Sequence, residues 1–160
     1  MTTLAKCYSL GAKSMAKLDG VHPSLVSVVL RSIQLTRQDF AVHDGLRTLA
    51  QQRALVAKGA SKTLKSKHLP QPDGHGHAVD LVPYINGQLR WEWGPSYEIA
   101  EAVHTAATEL NVPLRWGGVW DRRFTALPMT AAGIKSAVHA YCERHPGPDF
   151  IDGPHFEMRA

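Results

Sequence analysis

Three short stretches of this chain combine histidines with carboxylates at spacings that can hold a metal ion: Ser66-Lys67-His68, Gly76-His77-Ala78-Val79-Asp80 and Asp152-Gly153-Pro154-His155-Phe156-Glu157. His68, Asp80 and His155 offer two imidazoles and a carboxylate as ligands, and Asp152 a further carboxylate to move protons. That set is the minimum for metal-assisted hydrolysis. A catalytic zinc usually takes three protein N or O ligands and leaves its fourth position to water, whose pKa falls from 15.7 to about 7 on binding. Each residue also has a plainer reading. Asp80 could accept backbone N–H groups in a turn, and a lone histidine is usually a satisfied polar residue. With nine histidines in 160 residues chance groupings are expected, and His22, His43, His104, His139 and His145 receive no functional assignment.

Strand alternation constrains these stretches, because residues two apart share a face. Gly76, Ala78 and Asp80 would face one way and His77 and Val79 the other, which makes His77 a poor partner for Asp80. A carboxylate inside the apolar run Ala78-Val79-Asp80-Leu81-Val82 is costly to bury without a cation or several donors. His155 and Glu157 would also share a face, so Glu157 can orient His155 or pair with an arginine. Asp152 is separated from His155 by Gly153-Pro154, a bend that can bring both side chains into one cleft.

The elements that must position these groups are legible in outline. Pro23 at a first helical turn, followed by Leu25, Val28, Val29 and Ile33, predicts a helix over residues 23–35. Residues 40–43 read as a short strand, and residues 48–58 as a helix closed by Gly59. Residues 60–76 are polar and turn-rich, hence loop. The apolar stretch 77–84 ends at Asn86-Gly87, which predicts a hairpin into residues 88–91. Pro95 opens a long helix with Ile99, Ala102, Val103, Ala106, Ala107 and Leu110 on one side. Residues 114–116 form a strand, Thr130 caps a helix running to about Arg144 with Ile134, Ala137, Val138 and Tyr141 inward, and a last strand lies around residues 154–158. Helices mixed with hairpin strands indicate an α+β fold with a small, largely antiparallel sheet flanked by helices.

At 160 residues, with 44% hydrophobic and 20% charged residues, one domain spanning residues 1–160 can bury a real core unaided. The longest apolar runs fall far short of the ~20 residues that span a bilayer. Residues 1–6 lack the regions of an export signal, so the chain is expected to be made and kept in the cytoplasm until something releases it. Cys7 and Cys142 are too few for a disulfide framework and read as small buried or half-buried residues. Eighteen Lys and Arg against fourteen Asp and Glu give a net charge of +4, a modest excess that favours an anionic partner, nucleic acid or cell wall. The charge is dispersed, and even the run Lys62 to Lys67 is too sparse for a nucleic-acid arm. The four tryptophans read as core and cleft walls, not as a stacking platform, and no nucleic-acid motif appears.

Taken together, Ser66-x-His68, Gly76-x-Ala78-x-Asp80 and Asp152-x-x-His155 resemble the metal-binding signature of the VanY-like D-alanyl-D-alanine carboxypeptidase family, within the lysostaphin, D-Ala-D-Ala peptidase and hedgehog superfamily of zinc peptidases. The likeness extends to Phe40-Ala41-Val42 leading into Gly45-Leu46-Arg47-Thr48, the Ala78-to-Tyr84 strand, Arg115-Trp116-Gly117-Gly118 with Trp120-Asp121, and Phe150-Ile151 before the last motif. These look like the phage endolysin branch, which consists of L-alanyl-D-glutamate endopeptidases, and the resemblance covers residues 9–157.

The resemblance implies a zinc ion on His68, Asp80 and His155, with Asp152 as catalytic acid/base. It also implies a substrate-binding Arg47 beside the metal and Ser66 near the site. It further implies a peptidoglycan hydrolase acting on the stem peptide and held in the host cytoplasm before release to the wall; no separate wall-binding domain is visible, so the whole chain is expected to be the catalytic unit and a monomer. Its rivals are a D,D-carboxypeptidase or dipeptidase on the same scaffold and a non-catalytic module keeping zinc for structure. Arg47 could instead make a structural salt bridge, and Ser66 a loop hydrogen bond. Where the family has a short link, Leu69-Pro70-Gln71-Pro72-Asp73-Gly74-His75 makes a loop longer by about five residues, which costs little entropy on a surface. His75 could therefore replace or supplement His68, and Asp73 could bind a second cation; the Ser-x-His context favours His68.

Overall fold

The computed structural model describes residues 7–61, 63–147 and 150–159. Residues 1–6, on which the reading of a missing export signal rests, and Lys62 of the basic run lie outside them. In chain order the described elements are α1 (Ala12–Lys17), α2 (Pro23–Leu35), β1 (Phe40–Asp44), α3 (Leu49–Ala57), β2 (Ala78–Ile85), β3 (Gln88–Leu89), α4 (Trp93–Leu110), β4 (Leu114–Trp116), α5 (Ala131–Arg144) and β5 (His155–Met158), with a 3-10 turn at Phe124–Ala126. The sheet runs β1-β2-β5-β4, every pairing antiparallel, and β3 extends β2 as a hairpin. This is the α+β architecture expected.

Local chemistry explains most boundaries. His22 Nδ1 accepts the Ser24 N–H and Pro23 occupies the first turn of α2, where a missing donor costs nothing. Thr48 and Gln51 form a reciprocal capping box at α3. The β2–β3 turn places Asn86 at φ 51° and Gly87 at φ 76°, the left-handed pair a two-residue hairpin needs. Asn111, at φ 54°, ends α4, and Thr130 Oγ1 accepts the Gly133 N–H to begin α5.

Leu25, Val28, Val29 and Ile33 of α2 join Ile99, Val103, Ala106 and Ala107 of α4, Ile134 and Val138 of α5, and Val79, Leu81, Trp116 and Phe156 of the sheet in one buried cluster. The strand residues between these, Asp80, Arg115, His155 and Glu157, have the opposite parity and belong to the other face. One sheet face therefore supports the core and the other carries the polar groups.

Several expectations shift. α4 begins at Trp93, two residues before Pro95, and Leu110 is exposed. β3 stops at Leu89, and Trp91 is 58% exposed, neither core nor buried wall. Cys7 is exposed. Neither α1 nor the 3-10 turn is marked by an apolar period long enough to read.

Candidate active site

Asp80 and His155 are register partners on adjacent strands, and the loop before β2 returns His68 to the same place. One ligand atom from each of His68, Asp80 and His155 lies within 4.8 Å of the others. His68 is almost wholly buried, and two contacts to one turn hold it: its Nδ1 lies 2.7 Å from the Gly45 carbonyl, and its own carbonyl accepts the Arg47 N–H at 2.8 Å. A Cβ on Gly45 would stand 2.0 Å from the Lys17 carbonyl, so only glycine lets this turn approach α1 so closely. Ser66 Oγ accepts the His68 N–H at 3.1 Å, the loop hydrogen bond foreseen as its plainer role, and Ser66 also lines the cleft.

The outer nitrogen of each imidazole is committed to an acceptor. A carbonyl only accepts, so His68 Nδ1 carries a hydrogen, and its Nε2 faces Asp80 Oδ1, 3.3 Å away. His155 Nε2 lies 2.9 Å from Glu157 Oε1 and its Nδ1 3.2 Å from the same Asp80 oxygen. Were both nitrogens unprotonated, their lone pairs would repel that oxygen unless a cation stood among them. In the metal-free protein that cation is a proton: burial opposes charge on His155, but Asp80 and Glu157 on its two sides push its pKa up to about 10. Burial alone would raise the Asp80 carboxyl, yet the His68 charge and hydrogen bonds from both histidines hold it well below the ordinary carboxylate range. The donor set of two imidazoles and one carboxylate, with outer hydrogens anchored, fits a divalent metal.

Asp80's other oxygen is held by Arg47, whose Nη2 lies 3.2 Å from Oδ2. Arg47 Nε donates to Asp44, and Nη1 donates to Gln52 Oε1 at 3.0 Å. Gln52 is wholly buried, and its amide donates to Ser61 Oγ at 2.9 Å and to the Thr63 carbonyl at 2.8 Å. Gln52 thus ties α3 and the following loop to Arg47. Neither Gln52 nor Asp44 is marked as a site residue by any motif; the spacing Arg47-x4-Gln52 in a helix of weak amphipathicity is the available signal.

Asp152 sits at the cleft wall, half-buried, on a turn clamped by β4: its N–H donates to the Gly117 carbonyl at 2.8 Å, Gly117 N–H donates to the His155 carbonyl at 2.9 Å, and Trp116 Nε1 donates to the Gly153 carbonyl at 2.7 Å. A Cβ on Gly117 would lie 2.2 Å from the Asp152 carbonyl oxygen. Burial, with the Asp80 charge added, raises the Asp152 pKa against the opposing pull of His155, His68 and Arg47, making it a stronger base than an exposed aspartate. The cleft, of about 600 Å³, is lined by Arg47, Ser66, Lys67, His68, Asp80, Arg115, Trp120, Asp152, His155 and Glu157 among others.

His75 and Asp73 lie apart from this group. The inserted loop closes on itself, Gln71 N–H donating to the His75 carbonyl at 2.9 Å, and the His75 ring packs 5.6 Å from that of His22. Asp73 Oδ2 lies 2.7 Å from His77 Nε2, on the side of β2 away from Asp80, as strand parity requires.

The chain is similar to known peptidases over most of its length. A family model described as phage L-alanyl-D-glutamate peptidase matches residues 6–159. The L-alanyl-D-glutamate peptidase of Escherichia phage T5 is 34% identical over 118 residues, which cover 71% of this chain and 82% of that protein. The crystal structure of the Serratia marcescens L-Ala D-Glu endopeptidase ChiX superposes with a TM-score of 0.68 at 34% identity, covering 94% of this chain and 90% of that one.

Proposed function

The chain belongs to the phage L-alanyl-D-glutamate peptidase family, and from that premise we propose that it is a zinc-dependent peptidoglycan endopeptidase cutting the stem peptide between L-alanine and D-glutamate. The observation that carries the reading is the convergence of His68 Nε2, His155 Nδ1 and Asp80 in a cleft whose wall holds Asp152. Zinc bound there supplies Lewis acidity, lowering the pKa of water to about 7 and polarising a carbonyl.

The chain's own groups do the rest. Asp152 takes the proton of the attacking water and returns it to the leaving amine, which its raised pKa suits. The Gly45 carbonyl and Glu157 fix the tautomers and ring planes of His68 and His155. Arg47 acts first through Asp80; the second N–H on each of its Nη atoms is left for a substrate oxygen or for the charge that develops during attack. Among the described residues none accepts the Ser66 hydroxyl hydrogen, which is available to the substrate likewise. Trp120, its ring 5.5 Å from that of His155, forms part of the cleft wall beside the reacting centre.

Digestion of purified peptidoglycan with and without chelator, followed by identification of the new amino termini, tests this. D-Glutamate amino termini, lost with chelator, are expected. Replacing Asp152 by Ala should abolish their release while leaving zinc near one per chain. Release of terminal D-alanine instead would show a carboxypeptidase on the same scaffold.

A further inference from the structure

Beyond the reacting groups, one end of the cleft holds a cation whose geometry the mechanism leaves unused. Arg115 is the register partner of Glu157, on the same sheet face as the site. One strand spacing and one side-chain repeat separate its Cα from that of His155, a diagonal of about 8 Å. Its Nε donates to the Trp120 carbonyl at 3.0 Å, and its guanidinium carbon lies 5.0 Å from the centre of the Trp120 ring, whose position is fixed in turn by Nε1 donating to the Phe150 carbonyl at 2.7 Å. The head group is thus held in place while, among the described residues, no partner is recorded for either Nη.

Of the acidic groups nearby, Glu157 feels the charges of Arg115 and Lys67 but accepts its hydrogen bond from His155 at 2.9 Å, and Asp121 pairs with Arg144 at 2.9 Å and His145 at 3.1 Å. Lys67 lines the cleft beside Arg115 and adds a second positive charge there. A fixed guanidinium presenting two Nη groups is suited to grip a carboxylate with both oxygens.

The substrate carries such a group at the right distance. Glutamate has two carboxyls; with its amine in the scissile bond and one carboxyl continuing the peptide, the other remains a free anion about one residue from the reacting carbon. Resting on the endopeptidase reading above, we infer that Arg115, backed by Trp120 and assisted by Lys67, is the specificity-determining clamp for the free carboxylate of the residue on the leaving-amine side. Arg115 is exposed, so the discrimination comes from the ion pair gained with the free acid and is modest.

The test uses two synthetic stem peptides, one with that carboxylate free and one with it converted to the carboxamide, assayed for kcat/KM with zinc-loaded wild-type, Arg115→Gln and Arg115→Lys proteins. Because Arg115 is exposed in the free protein, the wild type should prefer the free acid by about 3- to 5-fold, the upper worth of an exposed ion pair. Arg115→Gln should collapse that ratio toward one, and Arg115→Lys should restore part of it, since a point charge without the fork remains. Circular dichroism and zinc content establish that each variant is folded and loaded. A wild type that cuts both peptides equally, or a preference that survives Arg115→Gln, overturns the inference while leaving the endopeptidase reading standing. A wild type that cuts neither peptide overturns both.

Discussion

Replacing Gly117 by Ala tests whether the Asp152 turn is positioned by contact with β4. The added Cβ would meet the Asp152 carbonyl oxygen at 2.2 Å, its carbonyl carbon at 3.0 Å and its Cβ at 3.1 Å. Relief to an ordinary carbon–oxygen contact requires the two segments to part by about 1 Å, a distance the packed surroundings resist. The parting cannot be shared harmlessly. The Asp152 N–H to Gly117 carbonyl bond at 2.8 Å and the Gly117 N–H to His155 carbonyl bond at 2.9 Å bracket the contact, and Trp116 Nε1 pins Gly153 beside it. Opening this clamp costs about 1 kcal/mol for each hydrogen bond lost, and a misplacement near 1 Å of Asp152, the proposed proton-transfer group, costs about 100-fold in turnover, or about 2.7 kcal/mol of activation free energy. The assay is kcat on purified peptidoglycan at saturating zinc, with thermal melting to show that the variant is folded. A folded Gly117→Ala protein turning over within about threefold of wild type would refute the positioning argument.

Glu157→Gln keeps the shape and an acceptor for His155 Nε2 but removes the charge from a 2.9 Å bond, so zinc affinity measured by competition with a chromophoric chelator should weaken about 10- to 100-fold. Unchanged affinity would deny Glu157 its orienting role. Because His155 in the metal-free protein is protonated below about pH 10 and must be neutral to ligate, zinc binding should release close to one proton per ion at neutral pH. Zinc affinity should also fall roughly tenfold for each unit of acidification between pH 8 and pH 6. Calorimetry in buffers of different ionisation heat measures the release, and a pH-independent affinity would contradict it. His75→Ala should leave zinc stoichiometry and turnover unchanged, since His75 packs on His22 outside the convergent group; loss of zinc would return His75 to the ligand set.

What the sequence disclosed divides along a physical line. Features written in local periodicity could be read directly: α2 and β4 have the expected bounds, and the period of two on β5 placed His155 and Glu157 on one face before their bond was seen. The convergent group His68, Asp80 and His155, proposed as ligands, and Asp152, proposed as the base, were legible as residue types at motif spacing. Contacts made by backbone were not, because any residue has a carbonyl; nothing in Gly45 announces that it anchors His68, or in Gly117 that it clamps Asp152. Gln52 was missed because a buried glutamine is identified by its partners, which lie in a loop ten or so residues away and on Arg47. Arg47 was anticipated beside the site, but its dominant contacts, to Asp44, Gln52 and Asp80, depend on a β-bulge between Val42 and Asp44 that no pattern foretells.

The strand order has a kinetic corollary. β5 is the last described strand in the chain yet lies between β2 and β4, and it brings His155 to an aspartate 75 residues earlier. Until β5 inserts, the sheet exists as two unjoined pieces, and the sequence separation makes that closure slow relative to the local hairpin and helices. Zinc capture and completion of the sheet should therefore be one event during refolding. Amides of β4 and its facing β5 edge should gain protection from exchange at the same rate as zinc is taken up. Protection preceding metal uptake by a resolved phase would separate the two. A nascent or partly unfolded chain of this kind is catalytically silent, because the hydrolytic centre is itself the seam that joins the halves.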